Sequence, residues 1–465
     1  MSSVPPKKVL SIFMLTMINI AAIASLRNLP LASSFGFSIV FIYVVMAIVF
    51  LIPSALVSAE LATTYHNSTG GVFKWVEEAF GPRWGFQAIW MQFIENVIWF
   101  PTGLSFVAAT LAYVVNPALA LNKTYMILMI LIIFWATTYI NLRGMKASGL
   151  ISSVGALFGT LIPGALIIAL GAIWWIVGNP LQITMTAKTF LPKMSLSNLV
   201  FTAGILFSFA GMEMSAVHAK EVQNPNKNYP KAIAISSCIL VLLLIMGSLA
   251  ISFVIPKDDV SLVAGLMDAF SSFFTSFNIP WFTPVLACLV AVGVISQAST
   301  WLIGPVKGIY ATAHEGLLPK IFDKANKNNV PYMLLYFQGA IVTLLAFLFL
   351  IMPDINSTFW LLSALATQLY LVMYVLLFAA AIHLRFKKPH LKRPYKVFGG
   401  KPGIIIVSGT GLLVSLVVFF LGFVPPEQIN VGSLFFYEGF LIGGLIVFGV
   451  IPFLVIKDKK GIKKT

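Results

Sequence analysis

Apolar runs of about twenty residues, each cut off from the next by a short polar loop, fill the chain almost from end to end. A helix of about twenty apolar residues crosses the ~30 Å hydrocarbon core of a bilayer, where every backbone N–H and C=O has to be paired within the segment itself. Membrane helices are therefore the only structures these runs can form. Twelve are read, at about 9–33, 37–61, 84–115, 125–142, 147–177, 199–219, 230–255, 281–306, 332–351, 357–384, 403–424 and 433–456. Composition agrees: 59% of the 465 residues are hydrophobic and 10% charged, against roughly a quarter charged in a soluble domain. The longest loops, at about 178–198, 256–280 and 307–331, are too short for a soluble domain, so function has to lie among the helices.

An even number of spans puts both ends on one side, and loops that keep Lys and Arg face the cytoplasm. On the side of the termini fall 25 of the 30 basic residues; Lys123, Lys188, Lys193 and Lys257 fall on the other, and Arg27 lies inside a span. Both termini are thus expected in the cytoplasm, with the chain in the plasma membrane. The same distribution accounts for the net charge of +15 without nucleic acid: basic loop residues such as Arg385, Lys388 and Arg393 suit anionic lipid heads. Lys7-Lys8 before an apolar run resembles a signal peptide, but cleavage would leave eleven spans and a basic tail on the wrong side, so the segment is kept as helix 1. Cys238 and Cys288 fall inside spans and are read as packing residues.

Two spans are interrupted. Helix 1 carries Ser25-Leu26-Arg27-Asn28-Leu29-Pro30, and helix 6 carries Ser208-Phe209-Ala210-Gly211-Met212-Glu213-Met214-Ser215. The breaks lie five spans apart, and an odd number of spans per unit inverts the second copy, which predicts a five-plus-five inverted repeat. The repeats run over about 9–177 and 199–384, with peripheral helices 11 and 12 at about 403–456, all in one transmembrane domain. An unwound stretch survives in lipid only where protein, water or ligand satisfies its backbone. Freed N–H groups at a half-helix N-terminus suit a carboxylate, and freed carbonyls suit an ammonium group. Two such breaks can hold the zwitterionic head common to all amino acids.

Ionisable residues within spans are costly and mark candidate sites. They are Arg27, Glu95, Glu213 and His218, with Glu60 near the end of helix 2 suiting a loop interaction instead. Glu95, Glu213 and His218 are candidates for proton or pH linkage. Arg27 needs an anionic or carbonyl partner: Glu213, Glu95 or a substrate carboxylate. Tyr370 and Tyr374 share one face of helix 10, one turn apart, and buried phenols need partners, so they are candidates to line or gate a cavity. Gly70-Gly71-Val72-Phe73 lacks the ending of a phosphate loop, and the five histidines and two cysteines have no metal-ligand spacing. No enzyme activity, cofactor or metal is expected.

Four stretches make the chain similar to the amino acid–polyamine–organocation superfamily of transporters, and within it to the bacterial glutamate/GABA antiporters. They are Ala59-Glu60-Leu61-Ala62 with Gly70-Gly71-Val72-Phe73-Lys74-Trp75-Val76 and Phe80-Gly81-Pro82-Arg83-Trp84-Gly85-Phe86; Gly211-Met212-Glu213, His218, Glu221, Asn224-Pro225 and Tyr229-Pro230; Gly304-Pro305, Gly308, Tyr310-Ala311-Thr312-Ala313 and Gly316-Leu317-Leu318-Pro319; and His390-Leu391-Lys392-Arg393. The resemblance covers about 9–455. It implies alternating access, an amino-acid substrate and exchange of one amino acid for another. It places binding residues at Ala24, Ser25 and Arg27 in helix 1; at Phe207, Ser208, Ala210, Gly211 and Glu213 in helix 6; and at Tyr370 and Tyr374 in helix 10. Helix 1 lacks the Gly-Ser-Gly type of run common in the superfamily, Gln297 stands where those antiporters carry a helix 8 glutamate, and the chain ends nine residues after its last apolar run. The alternatives are a proton-coupled symporter of neutral amino acids and a membrane sensor that binds an amino acid without moving it.

Overall fold

The computed structural model describes residues 10–66, 70–143, 155, 157–193, 195–215, 221–314 and 316–456. The expected site residue His218 lies outside the described residues. Among the described residues there is no strand; a single bridge joins Leu10 to Val222, beside hydrogen bonds from Leu10 N to Glu221 O and from Gln223 N to Leu10 O. The start of the chain is thereby tied to the segment that follows the helix 6 region.

Ten helices among the described residues are long and apolar enough to cross a membrane. Twelve spans are expected from the sequence, and the two outside this set are the interrupted runs. The first run divides into α1 (Ile12–Ile23) and α2 (Leu29–Ser33), separated by extended backbone at Ala24 and Ser25 and a 3-10 turn at Leu26–Asn28. Pro30 sits in the first turn of α2, where its missing N–H costs nothing, so it starts a new helix instead of kinking the old one.

The remaining helices are α3 (Gly36–Thr64), α4 (Gly71–Phe80), α5 (Pro82–Val115), α6 (Lys123–Leu142), α7 (Leu157–Ile176), α8 (Leu196–Phe207), α9 (Pro225–Val254), α10 (Gly265–Ser276), α11 (Phe282–His314), α12 (Tyr332–Ile351), α13 (Ile355–Lys387), α14 (Gly400–Leu421) and α15 (Leu434–Val455). α8 is the second interrupted run: it stops at Phe207, and Ser208–Glu213 continue as turns. Gly211 has φ +114°, open to glycine and strained for any residue with a Cβ.

α5 is the central post. In its most apolar stretch 83% of positions are buried, against 28% in α14 and 11% in α15. It packs chiefly on α11 and α13, and through them borders both helix breaks. Cys238 and Cys288 stand exposed on the outside of the bundle, so the packing role expected for them is not what the structure gives.

At one end of the bundle the loop after α13 folds back onto α3 and α4. Glu60 bonds to Arg385, accepts from Arg393 Nε at 3.2 Å, and accepts from the Val397 backbone N–H at 2.7 Å. Arg385 also donates to the Gly400 carbonyl at 2.8 Å. Beside this buried clasp, Glu78 pairs with Lys388 and, at 2.7 Å, with Lys74.

Candidate functional site

The two helix breaks face one cavity. It is lined from the first break by Ile23, Ser25, Arg27 and Asn28, and from the end of α8 by Phe207 and Ala210. α5 adds Glu95, Asn96 and Trp99, α11 adds Gln297 and Trp301, and α13 adds Tyr370. Of the residues expected to bind substrate, Ser25, Arg27, Phe207, Ala210 and Tyr370 belong to this lining, as does Glu95. Ala24, Ser208, Gly211, Glu213 and Tyr374 stand outside it and shape its wall.

Those wall residues hold the second break in place. Glu213 is 1% exposed and accepts three hydrogen bonds: from Gln92 Nε2 at 3.0 Å and Tyr370 OH at 2.5 Å on Oε1, and from Tyr374 OH at 2.7 Å on Oε2. The Tyr374 hydroxyl also accepts from the Gly211 backbone N–H at 2.8 Å, one of the amides released when the helix stops. Tyr374 is fully buried and works as a pin across the break, while Tyr370 reaches both the pin and the cavity. Ser208 turns its hydroxyl back onto the Ile205 carbonyl at 2.7 Å, a local cap. On the other side, Gln297 Nε2 stands 3.5 Å from the Ala24 carbonyl at the C-terminal end of α1.

Of the partners expected for Arg27, neither Glu213 nor Glu95 closes an ion pair with it: among the described residues no carboxylate does. Nη1 donates to Thr102 Oγ1 at 2.5 Å, and the guanidinium lies 5.4 Å from the Trp99 ring centre and 5.1 Å from that of Phe359. Faces of aromatic rings attract a cation without neutralising it. Glu213 is engaged by the two tyrosines and Gln92, which leaves Arg27 and Glu95 on one cavity as opposite charges that do not touch.

Of the twenty buried side-chain polar atoms without a partner among the described residues, four belong to residues lining that same cavity. Arg27 Nε, Ser25 Oγ, Glu95 Oε2 and Asn96 Oδ1 are buried and make no hydrogen bond. Buried polar groups in native proteins are nearly always satisfied, so four orphans on one cavity point to a ligand or water that completes them. Sequence reading missed Gln92, Asn96, Trp99 and Thr102, although the signal was there: with Glu95 they recur every three or four residues and draw a polar stripe along one face of an otherwise apolar α5.

This geometry has relatives. The family model for amino acid permeases matches residues 9–447. An uncharacterized transporter of Legionella pneumophila is 47% identical over 97% of this chain and 97% of its own length. The glutamate/gamma-aminobutyrate antiporter of Lactococcus lactis strain IL1403 is 33% identical over 98% of this chain and 92% of its own. A probable agmatine/putrescine antiporter of the same bacterium is 27% identical over 92% and 90%. Among solved structures, MhsT in complex with L-phenylalanine superposes with a TM-score of 0.60 at 17% identity, covering 88% of this chain and 98% of that one, a likeness of fold. By the family model and these relatives, the chain belongs to the amino acid permeases of the amino acid–polyamine–organocation superfamily, and is a multi-pass membrane transporter of amino acids.

Proposed function

We propose that this transporter is an antiporter that exchanges glutamate-like or GABA-like amino acids by alternating access, driven by the gradients of its own substrates. The observation that carries the reading is the meeting of both helix breaks at one cavity where Arg27 Nε and Ser25 Oγ lack partners. The released carbonyls at the end of α1 suit an ammonium group, and Arg27, with a planar fork of donors and no carboxylate of its own, suits a carboxylate. The glutamate/gamma-aminobutyrate antiporter relative supports the same substrate class. Counting the two interrupted runs as spans gives twelve, arranged as two inverted five-helix units with breaks in the first helix of each, both termini in the cytoplasm and the chain in a bacterial inner membrane.

The test uses purified protein in liposomes preloaded with unlabelled glutamate, GABA or neutral amino acids, followed by labelled uptake. Uptake that requires internal substrate is the expected result. Uptake into empty liposomes driven by a proton gradient replaces exchange with symport, and binding without uptake leaves a sensor. Orientation is tested separately: a cysteine introduced near Lys320 is labelled only from the cytoplasm, and one near Lys188 only from outside.

A further inference from the structure

We propose that Glu95 is the specificity-determining residue of the cavity, accepting a distal ammonium group of the substrate while Arg27 holds its carboxylate. The inference rests on the cavity being the amino-acid site. Glu95 is 3% exposed and Arg27 2%, both line the same cavity, and each has an atom with no hydrogen-bond partner, an acceptor on Glu95 and a donor on Arg27. Opposite charges in a low-dielectric interior attract strongly and ordinarily close into a salt bridge. Here they are held apart. Thr102 and the rings of Trp99 and Phe359 fix the guanidinium, and Glu95 and Asn96 stand one to two turns back along the polar stripe on α5.

The placement of the two groups defines the ligand. Arg27 is anchored on Thr102, two turns along α5 from Glu95, and both line one cavity without closing an ion pair. An α-amino acid head carries its two charges on neighbouring carbons and cannot set them at the two ends of a chain. A carboxylate separated from an amine by a short apolar chain can, and the apolar wall of Ile23, Phe207 and Trp301 suits that chain. Glu95 thus favours ligands whose far end is an ammonium group over those whose far end is apolar.

The experiment is equilibrium binding to the full chain in detergent, using glycine, 3-aminopropanoate, 4-aminobutyrate and 5-aminopentanoate, with butyrate as the ligand that lacks the amine. The wild-type protein is expected to bind the four- and five-carbon amino acids at least about thirtyfold more tightly than butyrate, the scale of a buried charge pair losing one partner. Glu95→Gln should abolish that preference while Glu95→Asp keeps part of it, with glutamate bound no more weakly than by the wild type. Equal binding of butyrate and 4-aminobutyrate by the wild-type protein overturns the proposal without any variant having to fold. So does a Glu95→Gln protein that keeps the wild-type preference. Should the wild type bind amino acids, with glutamate preferred and the amine series ignored, this inference fails and the amino-acid site stands; binding of none of them removes both.

Discussion

Glu60 and Glu95 are each 3% exposed, yet the protein treats the two carboxylates in opposite ways. Both oxygens of Glu60 are occupied, by Arg385, Arg393 and a backbone N–H, and its neighbours fasten α3 to the loop after α13. Glu95 faces a cavity with one oxygen unpartnered and Arg27 close by but not joined to it. A buried charge is tolerable when it is paired, and breaking a buried pair from one side leaves the other charge stranded. The Glu60 carboxylate is therefore a joint whose two oxygens the chain satisfies for itself, although Arg385 Nε there also lacks a partner, whereas Glu95 keeps an oxygen open to the cavity. Glu213 lies between the two cases, a carboxylate at the site whose partners are all internal.

The sharpest way to break this contrast is to remove each carboxylate in turn. Glu60→Ala strands Arg385 and Arg393 and should lower stability by about 3–5 kcal/mol, read as a large fall in thermal unfolding temperature in detergent. Glu95→Ala should leave that temperature near the wild-type value. If the two variants unfold alike, the distinction between joint and site is lost.

A smaller effect is expected at the pin of the second break. Tyr374→Phe leaves both the Gly211 N–H and Glu213 Oε2 without the shared hydroxyl and should cost about 1–3 kcal/mol, with transport impaired. Tyr370→Phe should cost less stability, because Glu213 Oε1 keeps Gln92. Equal losses for the two would mean that Tyr374 does not bridge the break.

The smallest effect belongs to the outer part of the clasp. The side chains of Glu78 and Lys388 are 26% and 42% exposed, so Lys388→Ala should change stability by less than about 1 kcal/mol. Hydrogen bonds from Lys388 and then Lys74 hold the Glu78 carboxyl below its ordinary value of 4.5. A depressed carboxylate contributes its share of stability above that value and loses it as pH falls through the lowered one. A titration of unfolding temperature from pH 6 to pH 3 should show this contribution fading in the wild-type protein and weaker in Lys388→Ala; a pH-independent difference between the two would contradict the pairing.

How much of this could be read beforehand depends on whether the signal is local. Arg27 with Pro30, and Gly211 with Glu213, disrupt a helix by their own chemistry, and the backbone departs from helix at those places. The mutual partners of the buried groups were not local. Arg27 meets Thr102, 75 positions on, and Glu60 meets Arg385, 325 positions on, so neither pairing has a period or spacing to announce it. Glu213, Glu95 or a substrate carboxylate was expected to meet Arg27 because a guanidinium buried alone is costly; within the protein it meets ring faces and a hydroxyl. The polar stripe on α5 was legible and was passed over because its members are mostly uncharged. Cys238 and Cys288 show the converse limit, since position within a span does not say which side of the helix meets lipid.

The central claim is that Arg27 stands ready for the carboxylate of a transported amino acid, and exchange by Arg27→Ala in liposomes tests it most directly. The variant should still fold, because the residue lost has no ion pair within the protein, while exchange of labelled glutamate or GABA against internal substrate falls by about a hundredfold or more, the scale of a buried charge left without its partner. A folded Arg27→Ala protein that exchanges these substrates with wild-type KM and kcat would contradict the account.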